Sequence, residues 1–150
     1  MKHIAGSWSS FPMTFQEMTI RLLQLLILSE RPLRLDEAVN AVAVRLYPVP
    51  GFDKEDRWLE PSDMILLCSS LISIQSRPSN ELDFERHLNS VSGPDDHRVV
   101  QLAHFSVKEF LLSNNAHGIH KSFASHVANA EVAKVLLAYL TNLDFDLPIP

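Results

Sequence analysis

The segment from Phe15 to Ser29 constrains this chain most. Its apolar residues recur at the helical spacing through Met18, Leu22, Leu25 and Leu26, while Ile20, Leu23 and Ile27 make the opposite face apolar too. A helix that is apolar all round is stable in water only inside other structure, so the fold must cover this one on both sides. The run from Leu22 to Leu28 is interrupted by Gln24 and is far shorter than the roughly 20 apolar residues that span a bilayer. No membrane contact is expected. With 150 residues, close to the usual domain size of about 150, the chain is long enough for one packed core. Hydrophobic residues make up 46% of the chain and charged residues 21%, a globular balance that excludes disorder throughout.

Around this helix the pattern divides cleanly. Met1 to Thr14 has no periodicity and reads as a loose tail. Pro32 disfavours helical geometry at Arg31, so the first helix ends there and Pro-Leu-Arg-Leu passes extended into Asp36 and Glu37, two carboxylates suited to a helix N-terminus. Leu35, Ala38, Val39, Val42 and Leu46 mark one face of a second helix ending before Pro48. Pro48 to Glu60 reads as a surface loop anchored by Phe52, Trp58 and Leu59, and Pro61 opens a third helix carrying Met64, Ile65, Leu67 and Cys68.

Ile72 and Ile74 then alternate with Ser73 and Gln75, and Arg98 to Ala103 alternates again, which predicts a hairpin with a long tip from Arg77 to His97. Phe105 to Ser113 predicts a short helix closed by Asn114 and Asn115, with His104 at the strand-to-helix corner. The longest helix is expected from Phe123 to Leu143, with Ala128, Val132, Val135, Leu136, Tyr139 and Leu143 on one face. The final Asp-Phe-Asp-Leu-Pro-Ile-Pro has no closure of its own and reads as cut short before a neighbour. The fold class expected is mostly α with a small antiparallel β-hairpin, in the winged-helix order, with appended C-terminal helices. Residues 1–14 form the tail, 15–115 the winged helix and 116–150 a helical extension truncated before repeats.

Chemistry is constrained mainly by what is scarce. Four isolated glycines cannot build a Walker loop or a dinucleotide fingerprint, because only glycine lets successive backbone N–H groups close around phosphates. The single cysteine, Cys68, forms no internal disulfide and no Cys-rich zinc site, which fits a reducing, cytoplasmic setting. In an apolar helix its thiol is a packing residue rather than a nucleophile. His117, His120 and His126 lack an acid or thiol at complementary spacing, so no metal is expected. Ser106 lies two residues from His104 without an acid to orient the ring or a nucleophile elbow, so no catalytic residue is expected. The net charge is −5 and the basic residues are scattered. The third helix offers Ser62, Asp63, Ser69 and Ser70 without Arg or Lys, a poor surface for duplex DNA.

Three phrases carry a resemblance. Ser29-Glu30-Arg31-Pro32-Leu33-Arg34-Leu35-Asp36-Glu37-Ala38, then Pro61-Ser62-Asp63-Met64-Ile65-Leu66-Leu67-Cys68-Ser69-Ser70-Leu71, and above all Leu102-Ala103-His104-Phe105-Ser106-Val107-Lys108-Glu109-Phe110-Leu111-Leu112 occur in order. Together they resemble the winged-helix domain that follows the NACHT nucleotide-binding module in fungal NLR-like (STAND) proteins, the GPI inositol-deacylase winged-helix family, in which ankyrin or WD repeats often follow. The resemblance covers about Phe15 to Leu143.

What it implies is a non-enzymatic regulatory and protein-interaction module of a signal-transduction NTPase. The partners implied are the NACHT module, on which the domain packs to hold the closed ADP-bound state, and the repeat domains. No cofactor is implied for this chain alone, ADP or ATP being held only by the separate NACHT module. His104 matches the histidine that reaches toward the β-phosphate of ADP, and a helix N-terminus beside a ring N–H suits an anion. Equally, His104 fits a buried histidine that ties the strand end to the following helix. Leu23 and Ile27 on the two-sided helix, with Leu137 and Leu140 on the last, are the candidate interaction surface, and self-association is a further expectation. The rival readings are a DNA-binding winged helix and a small hydrolase using Ser106 or Cys68.

Overall fold

The computed structural model describes residues 13–52, 63, 65–76, 98–113 and 120–142. It is mostly helical with one small antiparallel sheet. The elements are α1 (Phe15–Leu28), β1 (Leu33–Arg34), α2 (Leu35–Ala43), α3 (Ile65–Cys68), β2 (Ile72–Ser76), β3 (Arg98–Leu102), α4 (Phe105–Leu112), α5 (His120–Phe123) and α6 (Ser125–Thr141). The expected tip from Arg77 to His97 and the part of the expected Pro48–Glu60 loop from Asp53 onward, with Trp58 and Leu59, lie outside the described residues.

The hairpin is one strand richer than expected. β2 and β3 pair antiparallel from Ile72 opposite Leu102 to Ser76 opposite Arg98. The extended Pro-Leu-Arg-Leu segment joins them as β1, with Leu33 opposite Val100 and Arg34 opposite Val99. β3 is therefore the central strand, in the order β1-β3-β2, and Val100 at its middle is fully buried.

Several element ends differ from the sequence reading for local reasons. Thr14 is the N-cap of α1 rather than the end of a tail. Its hydroxyl accepts from the Glu17 N–H at 3.2 Å while the Glu17 carboxylate accepts from the Thr14 N–H at 2.7 Å, a reciprocal capping box. Those bonds hold the Glu17 carboxyl below its ordinary value. α2 stops at Ala43, and Val44 leaves it extended, so Leu46 packs in a second cluster instead of on the helix. α4 is closed by Ser113, whose N–H donates to Glu109 and Phe110 carbonyls and whose hydroxyl donates to Phe110 O at 2.7 Å, whereas Asn114 and Asn115 lie outside the described residues. The long C-terminal helix is broken at Ala124, the N-cap of α6, whose φ of −53° and ψ of 132° leave the helical region.

α1 is the hub. Its residues 22–27 are all buried, and α2, α3, β3 and α6 all pack against it. Leu22, Leu35, Val39, Val100, Leu111 and Phe123 form the fully buried centre, so α5 belongs to the same core as the sheet. A second cluster joins Val44 to Val135 and Ala138 of α6, with Leu46, Phe52 and Tyr139 around it. Phe52 is the anchor expected of it, its ring meeting Tyr139 edge-on at 4.8 Å, and the loop before it is closed by two backbone bonds between Arg45 and Gly51.

Two polar side chains on α1 tie down neighbouring ends. Gln24, which interrupts the apolar run, is only 4% exposed and donates through Nε2 to the Ser122 carbonyl at 2.7 Å. Arg21 donates through one guanidinium nitrogen to the carbonyls of Val42, at 3.1 Å, and Val44, satisfying acceptors that the end of α2 leaves open. Burial pulls the Arg21 guanidinium below its ordinary value, against the pull of Glu131 and Glu17.

Replacing Gln24 with Ala should leave the Ser122 carbonyl without its donor and destabilise the protein by about 1–3 kcal/mol. Leu66→Ala, at a position 65% exposed on α3, should stay within about 0.5 kcal/mol. Urea unfolding of the two variants side by side checks both values.

Candidate functional site

The corner between β3 and α4 is built from the backbone outward. Ala103 ends the strand by donating to the Leu71 carbonyl at 2.9 Å, and His104 follows with φ −152° and ψ 151°, the extended geometry of an N-cap. Its Nδ1 accepts from the Ser106 backbone N–H at 3.1 Å, doing the work a serine or aspartate oxygen does at most helix starts. An Nδ1 that accepts carries no proton, so the cap requires the neutral ring with its proton on Nε2. The Ser106 hydroxyl lies 2.8 Å from the same Nδ1. His104 is exposed, and Nε2 has no hydrogen-bond partner among the described residues.

His104 borders an open groove of about 250 Å³ between the end of α1 and the start of α4. Leu26 and Val100 belong to its lining, and Arg31, Lys108 and Glu30 charge it. Arg31 is held in place by Glu37, whose two carboxylate oxygens accept from it at 2.9 and 3.0 Å. That pair holds the Glu37 carboxyl below its ordinary value. Glu37 also accepts from the Arg34 N–H at 2.9 Å, so one carboxylate fixes both the start of α2 and a cation at the groove. The groove is smaller than the roughly 300–1,000 Å³ of sites that enclose whole ligands.

A second cleft, of about 320 Å³, lies between α1, α4 and α5 and is walled by Ile20, Leu23, Leu71, Phe110, Leu111 and Phe123. The sequence reading missed it, since its walls come from four separate segments and the only local signal is Phe110, 54% exposed on α4.

The candidate interaction residues divide. Leu23 and Ile27 are 3% and 4% exposed. They belong to the core because elements of this same chain cover both faces of α1, so they are not a surface for partners. Leu137 and Leu140 are 63% and 51% exposed on α6, beside Leu136.

The remaining candidates fall as follows. Cys68 is half-buried, and burial pushes its thiol up to about 11. The structure does bring Ser106 against His104, but the ring nitrogen facing the hydroxyl is the one committed to the helix start. His126 is exposed on α6, while His117 and the His120 side chain lie outside the described residues. Among the described residues no group of three or more His, Cys, Asp or Glu can hold a metal ion, and no helix is long and apolar enough to cross a membrane. Asp63, Leu66, Ser69 and Ser70 are the exposed described residues in and beside α3, while Pro61, Ser62 and Met64 lie outside them.

No family model matches the chain, and no solved structure matches it. It is similar to a fungal protein, the azaphilone pigments biosynthesis cluster protein L of Monascus ruber, at 34% identity over 123 residues. That stretch is 80% of this chain and 23% of the relative, so the chain spans about a quarter of the relative's length.

Two outcomes test this description. His104→Ala should cost about 0.5–2 kcal/mol through loss of the cap, while His104→Asn, which keeps a capping acceptor, should cost far less; thermal unfolding at neutral pH distinguishes them. For Cys68, the folded thiol holds its proton to higher pH than the unfolded one. Stability that it contributes is therefore whole below about 9 and lost as pH rises toward about 11. Native protein should resist iodoacetamide at pH 8, and Cys68→Ala should abolish its share of the alkaline loss.

Proposed function

We propose that this chain is a non-catalytic regulatory and protein-interaction module of an NLR-like signal-transduction NTPase, a winged helix that packs on a NACHT nucleotide-binding module and holds it closed. One observation carries the reading. At the start of α4, a helix whose positive dipole end favours anions, an exposed His104 is fixed as a cap, and its Nε2, which has no hydrogen-bond partner among the described residues, belongs to a groove that Lys108 and Arg31 also line. A groove of that size is suited to one phosphate presented by another module, not to a nucleotide of its own.

Three further facts support the reading. The element order, with β3 central and β1 and β2 on either side, agrees with a winged helix followed by extra helices. The fungal relative is some four times longer than the matched stretch, as expected if the domain works inside a larger protein. Leu137 and Leu140 give α6 an apolar face on which an adjoining domain would sit. In this reading the chain binds no cofactor alone, and ADP or ATP meets it only across the interface with the nucleotide module.

The test is reconstitution with a separately produced NACHT module of such a protein. The ADP-loaded module should bind the chain, and His104→Ala or Lys108→Ala should weaken binding at least tenfold while leaving the fold intact by circular dichroism. Leu137→Glu with Leu140→Glu should impair attachment of the following domain instead. Absence of binding to the ADP-loaded module, or equal binding by the His104 variant, overturns the reading.

A further inference from the structure

The contact between His104 and Ser106 has more in it than a cap. A ring nitrogen has one in-plane lone pair, yet two donors from one residue converge on Nδ1, the Ser106 N–H at 3.1 Å and the Ser106 hydroxyl at 2.8 Å. While the ring is neutral, that lone pair accepts and the proton sits on Nε2. Once the ring takes a second proton, Nδ1 becomes a donor and the backbone N–H loses its acceptor. The hydroxyl is the one group present that answers both situations. It donates to the neutral ring, and by turning its own O–H away it accepts from the protonated one.

We propose that Ser106 is the positioning residue of His104, and that its hydroxyl holds the ring in one orientation in both protonation states so that Nε2–H always points outward as a donor. The proposal rests on the reading of His104 as an anion-facing group and adds how that group is kept aimed. The charged groups around the ring are Glu30 and Arg31 from the turn after α1 and Lys108 from α4, while β3 brings only uncharged residues to the groove, Val100, Gln101 and Leu102. None of these is bonded to the ring. Its orientation therefore depends on Ser106, and alanine there would keep the neutral ring in place through the backbone but release the protonated one.

Nuclear magnetic resonance of the isolated 150-residue chain tests this. With ¹⁵N-labelled histidine, the neutral His104 ring should show a single tautomer protonated on Nε2, and its contacts to the Ser106 β-protons should persist through acidification. In Ser106→Ala the ring should become mobile in the acidic form only, and Ser106→Thr should restore the wild-type behaviour. A neutral wild-type ring protonated on Nδ1, an acidic Ser106→Ala ring as ordered as wild type, or failure of Ser106→Thr to restore order overturns the proposal. Should Ser106→Ala not fold, the wild-type tautomer and its contacts on acidification decide alone. Because no nucleotide is present, a negative spectrum with intact module binding removes the positioning role only. A positive spectrum without module binding removes the proposed function only.

Discussion

Everything in this fold depends on keeping α1 out of water. Its buried stretch from Leu22 to Ile27 is continuous, and a helical stretch that is apolar on both faces has no stable position at the surface of a domain. α2, the sheet and the C-terminal helices are arranged around it as cover. Apolar cover by itself is non-directional, and it is the two polar residues that set the directions. Arg21 locates the end of α2 and Gln24 the end of α5, each by bonding carbonyls that a helix terminus leaves unpaired. Burying such groups is favourable only while the partners are present, which makes the relative placement of the three helices specific.

That specificity reaches the groove. Leu26 of α1 and Val100 of β3 form its wall, and both are core residues. A single residue, Ala103, separates the strand that carries Val100 from the cap of α4. An exposed imidazole is thus mounted on a short helix whose start is fixed by the central strand, and whose interior residue Leu111 is held in the core. Arg31, on the opposite side, is exposed but fixed through Glu37 to the start of α2. Surface ion pairs contribute little to stability, so the value of this one lies in placing a guanidinium rather than in holding the fold.

Much of this was legible from residue spacing. The two-sided pattern of α1, the single buried face of α2 and the alternation of β2 and β3 each follow from local periodicity, and the fold class follows from their order. What was not legible depends on partners far along the chain. β1 is two residues long and exists because Val99 and Val100 are there to pair with it; Leu33 and Arg34 carry no such signal. Leu23 and Ile27 read as partner surface because the pattern says that a face needs cover without saying what supplies it, and the answer is inside the same chain. Gln24 read as an interruption for the same reason, its acceptor being the end of a helix near the C-terminus. For the site, the position of His104 at a strand-to-helix corner was visible, while the use of Nδ1 as the cap was not, because histidine is outside the usual capping set.

Serine and aspartate caps keep their remaining hydrogen-bonding capacity on the same hydroxyl or carboxylate that accepts from the backbone. Histidine has a second nitrogen on the far side of a rigid ring, so fixing one fixes the other. The bond that starts α4 therefore also determines the tautomer and the direction of the outward N–H, and the energy of helix initiation is coupled to the aim of the exposed donor. A chain needing only a helix start would do as well with Asn or Asp at position 104. What an imidazole adds at position 104 is this second nitrogen, held by the cap in a groove that Glu30, Arg31 and Lys108 also line.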